Sequence, residues 1–261
     1  MCGIFGYFCN SEVNMQSVLE LLKILEKDQL KGEKTPVGGH GAGVCFLDDF
    51  GKFVVYKIGK TNSSPAEDLS SIRDVVQVKS RIILAHVRHA SPEFMDTIKY
   101  AEATQPYNVN CLGLSEVVSA HNGKVRNYEE IRKNLSPHHS FESEVVKLVD
   151  SEVIPHLFEE NLKMCCDEFE ARERTLEFLK GNNAVVLLSS IGENRFLHIL
   201  HKGHSRGMHL WKNGKGEVIL CSRSEPLQQV FGGFLQEGNF KKTLSIRWQV
   251  DEEVQQTHEI V

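Results

Sequence analysis

Six residues at the N-terminus, Met1-Cys2-Gly3-Ile4-Phe5-Gly6, constrain this chain more than any other stretch. Ile4, Phe5, Tyr7 and Phe8 are β-formers, and the glycines at 3 and 6 allow close backbone approach, so the chain is expected to begin as a strand inside the domain. A cysteine directly behind the initiator methionine is then rigidly held at a strand start. If Met1 is removed, Cys2 offers a thiol and a free α-amino group on one residue. An α-amine ordinarily titrates at roughly 7.7 to 8.0 and a thiol at about 8.5, so near neutral pH the amine can relay a proton from the sulfur, directly or through one water. No separate histidine base is required. Position alone does not separate such a nucleophile from an incidental cysteine; that choice rests on the rest of the chain.

The 261 residues suffice for a proper core, and 41% hydrophobic with 25% charged residues is an ordinary globular composition. A net charge of −5 gives no electrostatic footprint for nucleic acid or an anionic membrane. No apolar run approaches the roughly 20 residues of a membrane span, and the N-terminus lacks the pattern of a signal peptide, so a cytoplasmic location is expected. Seven cysteines, with no C-x-x-C pair, argue against a disulfide framework and a zinc site. Twelve histidines include the pair His138-His139 and the run His198, His201, His204 and His209, but the run changes strand face at each step of three. The expectation is no metal and no cofactor.

Val18, Leu21, Leu22 and Leu25 recur at helical spacing within 14–29 and predict an amphipathic helix. The glycine-rich stretch 32–43 around His40 reads as a loop, without the G-x-x-x-x-G-K-[ST] pattern of a phosphate loop. Strands are expected over 42–47 and 52–58, joined by the turn Asp48-Asp49-Phe50-Gly51. Ser64-Pro65 opens a predicted helix through Val76. The apolar run 81–87 reads as a strand buried on both faces, ending in Arg88-His89-Ala90-Ser91; a second strand, 116–120, ends in His121-Asn122-Gly123. Polar clusters at the ends of buried strands are where ligand sites are built. Helices are expected from Asn127, whose Asn-Tyr-Glu-Glu run is similar to a capping box, through Leu135, over 142–157 with a kink at Pro155, and over 168–179. Strands follow over 184–191, 195–202, 208–211, 218–222 and 245–250. With no repeat or linker, a single domain over 1–261 is expected: α+β, with two sheets packed face to face and helices outside.

Five stretches, taken together, resemble the class II, N-terminal-nucleophile glutamine amidotransferases. They are Cys2-Gly3-Ile4-Phe5-Gly6, Gly39-His40-Gly41-Ala42-Gly43, Ala85-His86-Val87-Arg88-His89-Ala90-Ser91, Ala120-His121-Asn122-Gly123 and Ser224-Glu225-Pro226-Leu227. Singly each motif is weak, since an isolated Asn-Gly is most simply a tight turn. Order and spacing match over the first 150 residues and more loosely to about 230. The resemblance implies a four-layer αββα N-terminal-nucleophile hydrolase fold with two mostly antiparallel sheets. It makes Cys2 the nucleophile that forms a γ-glutamyl thioester and releases ammonia. Asn122, through its side-chain amide, and Gly123, through its backbone N–H, match the oxyanion hole. Arg88 matches the arginine that holds the substrate α-carboxylate, for which a planar five-donor fork is suited, and His89 and Ser91 flank it as substrate-binding candidates.

Two positions depart from the pattern the resemblance implies. Glu142, in Glu142-Ser143-Glu144-Val145, stands where an aspartate is expected against the substrate α-ammonium, and Gln105 stands where a histidine is expected. Gln105 hydrogen-bonds but does not titrate. Both fall where the amino acid is recognised, so they bear on the substrate more than on the reaction. Three readings stay open: a glutaminase delivering ammonia to an acceptor on a separate synthase subunit, a γ-glutamyl amide hydrolase with a larger substrate, and a non-catalytic interaction module. The expected partners are a small-molecule substrate, glutamine or a γ-glutamyl amide, and that synthase subunit, with no nucleic acid and no membrane.

Overall fold

The computed structural model describes residues 2–192, 194–205, 207–213, 215–232, 237–249 and 257–258. Met1, and Val250 at the end of the last predicted strand, lie outside the described residues. In chain order the elements are β1 (Gly3–Asn14), α1 (Met15–Lys27), β2 (Gly41–Leu47), β3 (Phe53–Gly59), α2 (Pro65–Leu69), α3 (Arg73–Val76), β4 (Lys79–Val87), β5 (Tyr107–Val109), β6 (Glu116–Val125) and α4 (Tyr128–Asn134). They continue as α5 (Val153–Cys165), α6 (Glu168–Phe178), β7 (Gly181–Ile191), β8 (Asn194–Lys202), β9 (Met208–Lys212), β10 (Val218–Cys221), α7 (Ser224–Phe231), β11 (Glu237–Phe240), β12 (Leu244–Gln249) and β13 (Thr257–His258). Contacts divide the chain into two compact units: Met1–Pro106 with Met208–Lys212 and Glu217–Phe240, and Tyr107–Gly207 with Asn213–Gly216 and Lys241–Val261.

The first unit holds the sheet β11-β9-β10-β1-β4-β2-β3, with antiparallel neighbours throughout. β1 and β4 occupy its middle, in register Gly3 to Val87 and Phe5 to Ala85. Alternation places Phe5, Tyr7 and Cys9 of β1 in one apolar cluster with Val18, Leu21, Leu22 and Leu25 of α1. Asn14 caps α1 by accepting the Gln16 N–H. At Gly3 a Cβ would lie 2.8 Å from Val37 and 2.9 Å from Leu25, so the strand start accepts the following loop only because that side chain is missing.

The second unit holds the sheet β13-β12-β8-β7-β6-β5, also antiparallel. Val117 and Val125 of β6, Val185 and Leu187 of β7, and Ile154, Leu157 and Phe158 of α5 share its core. Among the described residues, no helix is long and apolar enough to cross a membrane.

Several boundaries differ from expectation for local reasons. The helix predicted over 142–157 is instead two short 3-10 turns, Ser143–Val145 and Asp150–Glu152, followed by α5. Pro155 therefore sits in the first turn of α5 rather than at a kink, where its missing N–H would have had no intrahelical partner anyway. The Glu152 carboxylate accepts the backbone N–H groups of Glu142 and Ser143, giving that segment partners other than a helix. The helix opened by Ser64-Pro65 breaks into α2 and α3, although Ser64 does cap it by accepting the Glu67 N–H. Asn127 does not cap α4 with its side chain; that amide bridges to the Phe178 carbonyl and the Lys180 N–H instead. The strand expected to stop at Ala120 runs on through Gly123 to Val125, because β7 pairs with it as far as Gly181.

Candidate active site

The nucleophile candidate in the first unit is placed by the two central strands. Because Gly3 pairs with Val87, Cys2 lies where β4 gives way to Arg88-His89. The His89 backbone N–H donates to Cys2 Sγ at 3.3 Å. The thiol in turn donates to the His89 carbonyl at 3.4 Å, so the backbone of one residue holds the sulfur both as acceptor and as donor. The start of β1 is also tied to the end of β10: the Ile4 N–H donates to Ser222 Oγ at 3.0 Å, and the Ser222 N–H to the Ile4 carbonyl at 2.9 Å.

Two histidines build the wall beside Cys2. The rings of His40 and His89 stack at 4.6 Å. His40 Nδ1 accepts the Ala90 N–H at 3.0 Å, so that nitrogen carries no proton, and burial followed by the nearby positive charges of His89, Lys60 and Arg88 pushes its pKa down to about 4. His89 is lowered as well, mainly by burial, and its Nδ1 lies 3.3 Å from the Gly38 carbonyl. The hydrogen bonds of both Nδ1 atoms go to backbone groups of the surrounding loops. The loop carrying His40 is itself pinned: Arg223 reaches Asp28 at 3.0 Å and Glu33 at 2.6 Å from a nearly buried position.

Arg88 is 4% exposed, and its guanidinium donates to the Thr97 carbonyl at 3.2 Å and to Thr97 Oγ1 at 2.6 Å. Thr97 Oγ1 passes its own proton to the Phe94 carbonyl at 2.8 Å. The plane of the fork is thereby set by the short 3-10 segment Pro92–Thr97. Ser91 is exposed at the N-terminal edge of that segment, and Gln105 is buried, next to a cis bond to Pro106.

In the second unit, β6 carries His121, Asn122 and Gly123 together. His121 is fully enclosed, with Nδ1 2.9 Å from Ser151 Oγ and Nε2 3.0 Å from Asn183 Oδ1. An amide oxygen only accepts, so Nε2 carries the proton and the ring is neutral; burial lowers its pKa to about 4. Asn122 Oδ1 is buried without a hydrogen-bond partner, an end of the amide that a half-turn of the side chain exchanges for the NH₂. Gly123 has φ +149°, and a Cβ there would lie 2.0 Å from the Asn182 carbonyl oxygen and 2.7 Å from His121 Nε2. Only glycine fits. Glu142 is exposed beside the turn that Glu152 organises.

Sequence reasoning singled out neither Thr97, which orients Arg88, nor Ser222, which anchors the first strand. His40 was visible as the centre of the glycine-rich loop, but nothing in one dimension shows it stacked on His89.

Comparison with known proteins defines the class. The structure matches the glutamine phosphoribosylpyrophosphate amidotransferase of B. subtilis with a TM-score of 0.66 at 18% identity, over 97% of this chain and 50% of that one. It matches a glutamine aminotransferase class-II domain protein of Silicibacter pomeroyi with a TM-score of 0.52 at 14% identity, over 94% of both chains. The fold is thus the α+β N-terminal-nucleophile hydrolase fold. The family model described as glutamine amidotransferase domain matches residues 92–229, more than half of the chain. Glutamine–fructose-6-phosphate aminotransferase (isomerizing) of Sulfolobus acidocaldarius is 31% identical over 201 residues, which are 75% of this chain and 29% of that protein. The corresponding enzyme of Geobacillus kaustophilus is 25% identical over 242 residues, 90% of this chain and 34% of that protein. This chain belongs to the class II glutamine amidotransferases, and it spans about a third of the length of these curated relatives or less.

Proposed function

We propose that the chain hydrolyses the side-chain amide of glutamine with Cys2 as nucleophile, and that the ammonia passes to an acceptor on a separate synthase partner. The observation that carries this reading is the Cys2 sulfur held between the central strands with the His89 N–H donating to it, in a chain of this family. The curated relatives, named for glutamine as amino donor, support the same substrate.

The chemistry follows from the residues. With Met1 removed, the Cys2 α-amine accepts the thiol proton and the thiolate adds to the glutamine side-chain carbonyl carbon. The side-chain amide of Asn122 and the backbone N–H of Gly123 take the developing oxyanion. Collapse returns the proton to the leaving nitrogen, expels ammonia and leaves a γ-glutamyl thioester. Water then adds to the thioester, releasing glutamate and restoring the thiol. Arg88 holds the α-carboxylate and Glu142 the α-ammonium, with His89, Ser91 and Gln105 completing the substrate contacts.

A second reading, hydrolysis of a larger γ-glutamyl amide, is favoured by one observation: Gln105 and Glu142 replace the expected residues where the amino acid is recognised, and Glu142 lies exposed. Intact mass before and after 6-diazo-5-oxonorleucine separates the two. Loss of Met1 with a single adduct, absent in Cys2→Ala, is expected for a glutamine site. Loss of Met1 with no adduct moves the assignment to the larger substrate.

A further inference from the structure

A second cysteine–histidine group lies within the second unit, away from every residue given a role above. Cys111 belongs to the loop between β5 and β6, His139 to the segment before α5, and His156 and Glu159 to one face of α5 at i and i+3. Their candidate ligand atoms all lie within 4.8 Å of one another, and among the described residues this group alone gathers three or more such side chains. His139 Nδ1 is 3.0 Å from His156 Nδ1 and 3.6 Å from Glu159 Oε2; Cys111 Sγ is 3.8 Å from His156 Nδ1. A tetrahedral zinc with Zn–N of about 2.0 to 2.1 Å and Zn–S of about 2.3 Å needs N···N edges of about 3.3 Å and S···N edges of about 3.6 Å. These three edges lie within about 0.3 Å of that size, and all six lie within 4.8 Å.

Hydrogen bonding within the group accounts for one contact, the 3.0 Å approach of the two Nδ1 atoms, which a single proton on His156 Nδ1 bridges. His139 Nε2 faces the Glu160 carboxylate at 2.9 Å, which only accepts, so Nε2 carries the proton and Nδ1 presents a lone pair. The nearest acid to His156 Nε2 is Glu152 at 3.9 Å, and Nε2 has no hydrogen-bond partner, which leaves its Nδ1 as the ring's inward atom. Two ring nitrogens, a carboxylate and a sulfur thus converge, with that one ring proton and the Cys111 thiol proton between them. His139, His156 and Glu159 are at most 2% exposed, so a carboxylate and two imidazoles meet away from solvent, where a bound cation would displace those protons. Glu160 behind His139 is placed as the outer carboxylate that orients a metal-bound imidazole. Glu159 is fixed by the Cys111 and Leu112 N–H groups at 3.1 and 2.7 Å, and the Ser140 N–H reaches Cys111 Sγ at 3.4 Å.

We propose that Cys111, His139, His156 and Glu159 bind a zinc ion. Thiolate with imidazole and carboxylate is a zinc donor set, and four protein ligands leave no open position, so the ion is structural. Binding displaces the Cys111 thiol proton and clips the β5–β6 loop and the segment around His139 onto α5. The expectation of no metal rested on the absence of a C-x-x-C pair and on the face change of His198, His201 and His204; the proposed site departs from it by drawing on other residues.

The test uses the full chain, stripped by chelator and titrated with Co²⁺ and then Zn²⁺. One Co²⁺ per chain is expected, with the visible bands of a tetrahedral site and a thiolate charge-transfer band, displaced by Zn²⁺. Zn²⁺ is expected to protect Cys111 from alkylation, read by peptide mass spectrometry, while the other cysteines react as before. Cys111→Ser loses the charge-transfer band, and Glu159→Gln weakens Zn²⁺ by more than the roughly 10-fold that loss of an outer partner alone brings. Equal alkylation of Cys111 with and without Zn²⁺ overturns the proposal, whether or not the variants fold. So does a tetrahedral spectrum that survives Cys111→Ser.

Discussion

The molecule sets a cysteine among paired histidines twice, and the two arrangements are opposite. Around Cys2 the Nδ1 atoms of His40 and His89 face backbone groups, the Ala90 N–H and the Gly38 carbonyl, and the rings stack face to face. Around Cys111 the rings of His139 and His156 meet edge to face, with their Nδ1 atoms directed at one another. The first pair spends its polar atoms on the loop and shapes a wall, while the sulfur receives the His89 backbone N–H. The second turns its polar atoms inward and makes a ligand set. On the proposed assignments the same residue types serve a reactive thiol in one unit and a held ion in the other, and what separates them is the partner of each ring nitrogen.

The sharpest way to break this contrast is Cys2→Ala. Turnover of glutamine is expected to fall by at least about a thousandfold, because the proposed mechanism forms its covalent intermediate on that sulfur. A rise in Tm with Zn²⁺, expected for an ion that binds the folded chain, should persist in the same variant. If the metal response disappears with Cys2, or activity survives, the two cysteines do not have separate tasks. Next in size is Asn122→Ala, expected to lower kcat by about 100- to 1,000-fold, the usual loss for one oxyanion donor. An unchanged kcat would confine the second unit's contribution to its Cys111 group.

The same contrast explains what was legible in one dimension. The strand at Cys2, the buried run ending at Arg88 and the cluster at His121-Asn122-Gly123 are contiguous, so period-2 burial and family motifs reveal them together. The amphipathic stretch before Lys27 is equally local. The Cys111 group draws on three segments separated by 28 and 17 residues, and its one local signal is His156-x-x-Glu159, visible only if α5 begins at Val153. Placing the helix start at Glu142 hid it, because the Glu152 carboxylate, which ends the preceding turn, acts through backbone contacts that no propensity records. Thr97 was hidden in the same way, since its role exists only through Arg88.

Neutral histidines held by neutral partners should make folding sensitive to acid. His121 has its folded pKa lowered to about 4 from an ordinary value of 6.5, so the unfolded chain binds the proton more readily. Stability is therefore unaffected above about pH 6.5 and falls as pH drops through 6.5 towards 4, by about 3 kcal/mol in all for this group. Urea unfolding between pH 7 and pH 4, with and without Zn²⁺, should show the slope, and His121→Asn should flatten it while lowering stability throughout. A slope that depends only on Zn²⁺ would assign the acid sensitivity to the Cys111 group instead, where protons compete with the metal.

The smallest effect concerns Arg88. Its fork is not the only buried guanidinium in the chain; Arg172, 1% exposed, donates to Ser245 Oγ at 2.7 Å and pairs with Glu173. Arg172 ties a helix to a strand of its own unit, whereas Arg88 donates to both the carbonyl and the hydroxyl of one residue, Thr97. Two contacts to a single residue fix the plane of the fork, and a guanidinium of fixed plane is what gripping a carboxylate in two places requires. Arg88→Lys should raise KM for glutamine about tenfold with little change in kcat, because a single ammonium cannot keep Thr97 and hold both carboxylate oxygens. Thr97→Val, which leaves the carbonyl contact, should raise KM by less. An unchanged KM in Arg88→Lys would make Arg88 a structural arginine like Arg172, and the carboxylate would then have to be held by another cation.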